Sequence, residues 1–311
     1  MPRVRVGVVD IGTNSTRLLI ADVDDGRIAE VDRRTEVTRL GEGVDATGRL
    51  SDAAQARVFA VLEAYAAAIE EQHCDVTTGV LTSAVRDAAN GEQFRDEVRR
   101  RYGLDANVID GDTEARLTYL GATAERPAGD DPLVVIDIGG GSTEYVVGEG
   151  AQMTFHVSTQ AGVVRQTERH LHSDPPRREE LAALADEVRA IIAEGVPAEV
   201  RESVVAAVGV AGTATSCAAI AQELDPYDPA RVQGYRLEAG ALELMLARLA
   251  ELDLERHRHV TGLHPDRAPT IVAGVVILLE ALRAFGLDEV EVSEHDILWG
   301  AALTVAADTA G

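Results

Sequence analysis

Two short segments of the chain carry the same ordered set of acidic, small and hydroxylic residues. Residues 8–17 read Val-Val-Asp-Ile-Gly-Thr-Asn-Ser-Thr-Arg, and residues 135–144 read Val-Ile-Asp-Ile-Gly-Gly-Gly-Ser-Thr-Glu. A turn of glycine and hydroxylic residues directs backbone N–H groups and hydroxyls at one point, a geometry that binds phosphate oxygens without a lysine. Either segment alone would more often be an ordinary hairpin, but the pair indicates phosphate chemistry.

Carboxylates occupy positions in and near these segments where phosphoryl transfer needs them. Asp10 and Asp137 end the first strand of each copy, and Mg²⁺ favours one or two carboxylates combined with phosphate oxygens. A further carboxylate must orient or deprotonate the attacking water, and Glu114 and Glu144 are the candidates. For an isolated segment, the preferred interpretation of Glu114 is an ordinary first-turn acid that the helix dipole favours.

The basic residues narrow the chemistry further. All 29 are arginine, against 53 acidic residues, which gives a formal net charge of -24. The absence of lysine excludes a P-loop and a lysine nucleophile. Arg17 and Arg86, beside small residues, are better phosphate ligands than the run 99–101, which is typical of a solvated helix face. An acidic surface repels polyanions, so we expect no nucleic-acid partner, and an anionic ligand must enter a locally positive pocket.

The elements that must position these groups alternate between strands and helices in two halves. Both repeats predict a strand, a tight turn and a second strand. Residues 125–132 have the composition of a linker, so we predict one lobe over residues 1–125, with 297–311 packing back on it, and a second lobe over 126–296. The other predicted elements of the first lobe are a helix from the N-cap Ser51 to about Gln72, a strand over 76–81, a loop over 82–87, a helix over 92–102, a strand over 106–109 and a helix that starts near Thr113 after the capping pair Gly111-Asp112.

The second lobe continues the α/β pattern. Its predicted elements are helices over 162–171 and 177–194, a strand over 204–210 that enters a third phosphate-type turn at 211–216, a long helix over 266–285, a strand over 289–292 and a helix over 297–307. Charged residues interrupt the long helix, so we interpret it as a buried core helix, and we expect no membrane partner and a cytoplasmic location. Cys74 and Cys217 lack metal-type spacing and are expected to be free thiols.

Four motifs in order resemble those of the exopolyphosphatase and guanosine pentaphosphate phosphatase family. They are the runs 10–18, 82–90, 111–117 and 137–144, and the resemblance continues through 209–216 and 265–274. The resemblance implies the actin, sugar-kinase and Hsp70 superfold: two duplicated, ribonuclease H-like lobes with mixed sheets flanked by helices, and an active site in the cleft between them.

The resemblance also implies roles for individual residues. Glu114 is similar to the family's water-activating glutamate, and Asp137 and Glu144 to its acids for metal and catalysis. Asp10, Asp137 and Glu144 would hold Mg²⁺ or Mn²⁺. The expected phosphate ligands are Thr13, Asn14, Ser15, Arg17, Arg86, Gly139, Gly140, Gly141, Ser142 and Thr213. A homodimer is a family-based expectation, and the length is similar to that of the short members, without extra C-terminal helical domains.

Several functions remain open at this stage. The first is release of terminal orthophosphate from inorganic polyphosphate, and the second is the same chemistry on guanosine pentaphosphate, with guanosine tetraphosphate as a related ligand. A kinase or ATPase of the superfold would need an adenine pocket near Gly212 and Thr213, and a non-catalytic alarmone sensor would bind without turnover. The pair His295-Asp296 lacks the further ligands of an HD phosphohydrolase, and Gly139–Gly141 does not open a helix as a dinucleotide fingerprint does.

Overall fold

The computed structural model describes residues 3–126 and 131–310, and the chain divides into two compact units. The first unit runs to Glu125 and takes in the C-terminal segment from Ile297, and the second runs from Arg126 to Asp296. Of the linker expected over 125–132, residues 127–130 lie outside the described residues.

The first unit is a five-stranded mixed sheet with helices. Its strands are β1 (Val4–Ile11), β2 (Ser15–Asp24), β3 (Arg27–Val37), β4 (Val76–Leu81) and β5 (Ala106–Val108). Its helices are α1 (Val44–Thr47), α2 (Asp52–Glu71), α3 (Ser83–Arg86), α4 (Gly91–Tyr102) and α5 (Gly111–Thr123). The strand order is β3-β2-β1-β4-β5, in which β1 pairs antiparallel with β2 and parallel with β4, and β4 pairs parallel with β5.

The second unit repeats this order and adds one strand. Its strands are β6 (Leu133–Ile138), β7 (Thr143–Glu149), β8 (Gln152–Thr159), β9 (Ala206–Val210), β10 (Arg236–Glu238) and β11 (Glu289–Val292). Its helices are α6 (Val163–His170), α7 (Arg178–Gly195), α8 (Ala198–Ser203), α9 (Ala211–Ala221), α10 (Pro229–Val232), α11 (Ala239–Leu249), α12 (Leu254–His257) and α13 (Ile271–Phe285). The sheet reads β8-β7-β6-β9-β11-β10, so its first five strands match the order and directions of the first sheet. The predicted duplicated α/β fold is confirmed.

Alternation along the strands builds the cores. In the first unit, Val9 and Ile11 face the cluster that α2 and α4 cover, whereas Val6 and Val8 face the opposite cluster. The last helix, α14 (Ile297–Ala310), packs on that second face beside α5. In the second unit, the apolar helix α13 packs against α7, α9 and α11 in a single large core.

Most predicted elements occur within one or two residues of their expected bounds, with three corrections. The segment expected as a loop over 82–87 contains the short helix α3, which is held by N–H bonds from Val85 and Arg86 to the Thr82 carbonyl. Helix α5 begins at Gly111 because Asp110, rather than the pair that follows it, accepts a bond from the Thr113 N–H. The helix expected from 266 begins as an α-helix only at Ile271. A 3₁₀ turn, Pro265–Arg267, precedes it, and Pro269 has no N–H with which to continue the helical hydrogen bonds.

Among the described residues, none of the helices combines the length and the apolar character needed to cross a bilayer. Cys74 and Cys217 are free thiols.

Candidate active site

The parallel strands of the first sheet bring its candidate residues to one edge. Strands β1, β4 and β5 run in the same direction, so their carboxyl ends meet at the same edge of the sheet. The turn 12–14 follows β1, the segment 82–86 follows β4, and α5 with Glu114 follows β5 after two residues. The Thr13 and Ser83 hydroxyls lie 2.9 Å apart and join the first two segments directly.

The first turn presents N–H groups on its outer side. The Gly12 N–H closes the turn onto the Ser15 carbonyl at 2.9 Å. The Thr13 carbonyl accepts a bond from the Gly41 N–H, and the Asn14 carbonyl accepts bonds from the N–H groups of residues 38 and 39. In a planar trans peptide the N–H points opposite to the carbonyl, so the N–H groups of Asn14 and Ser15 point away from residues 38–41. The Thr13 and Asn14 side chains are exposed beside them.

Asp10 forms an ion pair with Arg17 at this edge. The two residues are direct cross-strand neighbours on β1 and β2, and Arg17 Nε and Nη2 lie 2.8 and 2.6 Å from Asp10 Oδ2. Asp10 is buried and Arg17 is partly exposed. The sequence repeat predicts Asp10 and Asp137 equally as cation ligands. Because the Arg17 guanidinium offsets its charge, Asp10 is the weaker of the two candidates. A metal-binding role for Asp10 stays a prediction.

Glu114 lies at the start of α5 and contacts Arg86. The Asp110 side chain caps the helix, and the Thr113 hydroxyl and N–H that bond to it hold the pKa of Asp110 below its usual range. Arg86 Nη1 donates to the Ile109 carbonyl at 3.0 Å and lies 3.3 Å from Glu114 Oε2. Both side chains keep about a third of their surface exposed, 33% for Arg86 and 30% for Glu114. The Glu114 carboxylate and the Arg86 guanidinium therefore lie side by side, and both are exposed enough to contact a ligand.

The glycine turn of the second unit has the same arrangement. The Gly139 N–H bonds to the Ser142 carbonyl at 2.9 Å, as in the first turn. The Gly139 and Gly140 carbonyls accept bonds from the first N–H groups of α6 at 2.9 and 2.8 Å, and the Gly141 carbonyl accepts one from Arg165 Nε at 3.0 Å. The N–H groups of residues 140–142 therefore point away from α6. Gly162 makes this docking possible, because a Cβ there would overlap the backbone of residues 140–142.

In the second unit, two acidic residues occupy the cross-strand positions that an ion pair occupies in the first unit. Asp137 and Glu144 are direct cross-strand neighbours on β6 and β7, in the register that Asp10 and Arg17 occupy in the first sheet. Ser158, the neighbour of Glu144 on β8, donates to Glu144 Oε1 at 2.7 Å. Burial raises the pKa of Glu144, although the hydroxyls of Ser142 and Ser158 oppose that shift.

This pair of carboxylates suits a hard divalent cation. Mg²⁺ takes oxygen ligands and commonly uses one or two carboxylates together with substrate phosphates and water. Within residues 3–126 and 131–310, no three His, Cys, Asp or Glu side chains cluster closely enough to hold a metal by themselves. Asp137 and Glu144 therefore fit a cation that is shared with a phosphate ligand, but they do not form a complete protein cage.

The third predicted turn begins a helix whose first residues are covered. Thr213 is buried, and a Cβ on Gly274 of α13 would come 2.7 Å from its methyl group, so its side chain packs between helices. A Cβ on Gly212 would overlap the Arg267 guanidinium, which thus lies against the Gly212 backbone. A role for Thr213 in phosphate binding stays a prediction.

Three residues near these turns were not selected from the sequence. Ser83 contacts Thr13, Arg165 contacts the Gly141 carbonyl, and Arg267 lies on Gly212. Ser83 lies inside the motif 82–90 and could have been found there. Arg267 lies inside the segment 265–274 and could also have been found there, whereas Arg165 stands outside every motif and only the folded chain brings it to the glycines.

Comparison with known proteins identifies the family. The model of the Ppx/GppA phosphatase family matches residues 19–300. This chain belongs to the Ppx/GppA phosphatase family. "Exopolyphosphatase 2" of Mycobacterium tuberculosis is 39% identical over 98% of this chain and 100% of its own length, and "Exopolyphosphatase 1" of Mycobacterium bovis is 30% identical over 93% and 84%.

Solved structures of Ppx/GppA proteins share the fold. The crystal structure of the Aquifex aeolicus family member superposes with a TM-score of 0.89 over 100% of both chains, at 32% identity. The exopolyphosphatase structure from Cytophaga hutchinsonii, at 24% identity and a TM-score of 0.85, supports the fold alone. The resemblance inferred from the four motifs is confirmed.

Proposed function

We propose that this Ppx/GppA phosphatase is an exopolyphosphatase, which hydrolyses the terminal phosphoanhydride of inorganic polyphosphate and releases orthophosphate. The observation that carries the proposal is the duplicated turn. Each copy directs N–H groups outward for phosphate oxygens, and the second copy adds the carboxylate pair Asp137 and Glu144. The full-length similarity to proteins named exopolyphosphatase supports the same substrate.

In the proposed reaction, water attacks the terminal phosphorus and the bridging P–O bond breaks. Glu114 accepts the proton of the water or orients it, and Arg86 beside it binds a phosphate oxygen. The outward N–H groups of Asn14 and Ser15, in the same unit as Glu114, stabilise the negative charge on the oxygens of the transferring group. When Mg²⁺ or Mn²⁺ is bound, it offsets phosphate charge, and Asp137 and Glu144 are the residues that would hold it. The products are orthophosphate and a chain one phosphate shorter.

The surroundings of Gly212 disfavour the kinase or ATPase alternative. An adenine pocket at this turn would need open space over the Gly212 backbone, but the Arg267 guanidinium lies there. Inorganic polyphosphate, which has no base to place, is compatible with this arrangement.

The proposal is tested by orthophosphate release from four substrates in parallel: long-chain polyphosphate, tripolyphosphate, guanosine pentaphosphate and ATP, each with Mg²⁺ and with EDTA. We expect the highest kcat/KM on a polyphosphate and loss of release when EDTA removes the cation. Release from guanosine pentaphosphate alone would assign the chain as an alarmone phosphatase. Release from none of the four would contradict hydrolysis and favour a non-catalytic sensor.

A further inference from the structure

Arg165 stands beside the glycine turn of the second unit with most of its donors unused. It lies in the first turn of α6, partly buried, and its Nε donates to the Gly141 carbonyl at 3.0 Å. A guanidinium carries five N–H donors, so this bond leaves four. In the part of the chain that the structure describes, no carboxylate lies within ion-pair distance of Arg165.

The other arginines of the candidate site contrast with Arg165. Arg17 is bonded to Asp10, and Arg86 contacts Glu114 and Asp87. One turn further along α6, Arg169 forms an ion pair with Glu187. Arg165 differs from these three arginines, since no acidic partner lies within ion-pair distance of it among the described residues.

Arg165 reaches the glycine turn from its carbonyl side. The first N–H groups of α6 are occupied by the Gly139 and Gly140 carbonyls, so the helix terminus itself is not available to a ligand. The outward N–H groups belong to residues 140–142, and Arg165 Nη2 lies 3.8 Å from the place a Cβ on Gly141 would take. The guanidinium thus borders the glycine turn, where phosphate oxygens would be bound.

We propose that Arg165 is a substrate-binding residue that contacts the phosphate oxygens of polyphosphate at the glycine turn. This inference depends on the proposed function. Asp137 and Glu144 place negative charge at the same turn, so an anionic substrate needs a cationic side chain there besides any bound metal. The planar fork of Arg165 can bind two oxygens of one phosphate while its Nε stays on the Gly141 carbonyl.

The test compares Arg165→Gln with Arg169→Gln by steady-state kinetics on tripolyphosphate, by equilibrium binding of pyrophosphate, and by Tm. Glutamine keeps a donor for the Gly141 carbonyl but removes the charge, and the second variant removes the same charge one turn away. We expect Arg165→Gln to raise KM about 10- to 100-fold, with kcat within about threefold and pyrophosphate binding weakened to a similar degree. Arg169→Gln should leave KM and binding unchanged.

Two outcomes would overturn the assignment. Equal KM values in the two variants would remove Arg165 from the substrate contacts while leaving the proposed function intact. If Arg165→Gln lowers Tm and Arg169→Gln does not, the variant Arg165→Lys separates a loss of charge from a loss of stability. A parental Tm with a KM within about tenfold of the parent supports the charge contact. A parental Tm with a KM as high as that of Arg165→Gln contradicts it. Inactivity of the unmodified chain on every polyphosphate would instead contradict the proposed function.

Discussion

At the residue scale, the two copies of the turn differ in one cross-strand partner, and that difference separates their roles. Asp10 faces Arg17, whereas Asp137 faces Glu144 in the same register. The first pair is neutral as a unit, whereas the second pair consists of two acidic residues, whose oxygens are the ligands that a hard divalent cation prefers. We therefore expect the metal at the second turn.

Glu114 is the residue for which a substitution should affect chemistry without affecting binding. We expect Glu114→Gln to lower kcat on polyphosphate roughly 10²- to 10⁴-fold with KM changed by less than about threefold, because the variant cannot accept a proton from water. Asp112→Asn removes an exposed carboxylate from the same helical turn and serves as the control. If both variants keep the parent kcat, Glu114 has no part in the mechanism.

A second residue-scale prediction concerns stability. Arg5 and Arg3 donate to the buried Asp22 carboxylate and hold its pKa well below the usual range. A lowered pKa in the folded state means that ionised Asp22 stabilises the fold above its unfolded-state pKa, about 3.9. That contribution is lost as the pH falls through the lower folded-state value.

We therefore expect Asp22→Asn to lower the free energy of unfolding by about 1 kcal/mol at pH 7, a modest value because Arg3 is largely exposed and solvent screens its share. The difference from the parent should shrink below about pH 4. Urea denaturation at several pH values measures it, with the exposed Asp24→Asn as control. A difference that stays constant from pH 7 to pH 3 would show that the ionised carboxylate is not the cause.

The repeat allowed the sequence to predict the turn residues but not every side chain around them. The types and spacing of Asp10, Asp137 and the glycines are local, so they could be recognised without a structure. Arg165 follows the turn by more than 20 residues, and its contact with Gly141 exists only because α6 docks on the turn through Gly162. No periodicity or motif in the segment 160–170 indicates that contact.

At the element scale, strand pairs and crossovers were predictable where the pattern was strong. Strand β4 and helix α2 have the bounds expected from their hydrophobic runs and from the N-cap Ser51. Strand β3 was not predicted, since its side chains are largely exposed and its sequence is dominated by charge. The start of α13 was predicted too early, because Pro269 has no N–H with which to continue the helical hydrogen bonds.

The packing of α14 on α5 gives a test at this scale. Gly300 lets the two helices approach so closely that a Cβ there would overlap the Leu117 carbonyl. We expect Gly300→Ala to lower the free energy of unfolding by about 1–3 kcal/mol through overpacking, and to reduce kcat because α5 carries Glu114.

The matched control is Gly240→Ala in α11, where a Cβ would meet nothing within 4 Å. Its stability should stay the same or rise by up to about 1 kcal/mol, since alanine is the better helix former. Urea denaturation and tripolyphosphate kinetics measure both variants. Equal effects of the two substitutions would mean that the Gly300 contact does not hold α5 in place.

At the scale of the whole molecule, two sheets with the same strand order each carry a phosphate-type turn at the carboxyl end of their first strand. The repeated sequence motif predicted this duplication, because a strand, turn and strand of the same composition fold alike. Because the chain is acidic overall, the few arginines at the turns must supply the positive charge that an anionic substrate needs. Without local positive charge, a chain of net charge -24 would repel a polyanion.

The most direct test of hydrolysis at the terminal phosphate is to cleave a polyphosphate of defined length in H₂¹⁸O and to analyse the products by mass spectrometry and ³¹P NMR. Attack of water on the terminal phosphorus predicts that each orthophosphate released in the first turnover carries one ¹⁸O, and that the remaining chain is one phosphate shorter and unlabelled. Label in the chain ends, internal cleavage, or orthophosphate without ¹⁸O would contradict the account.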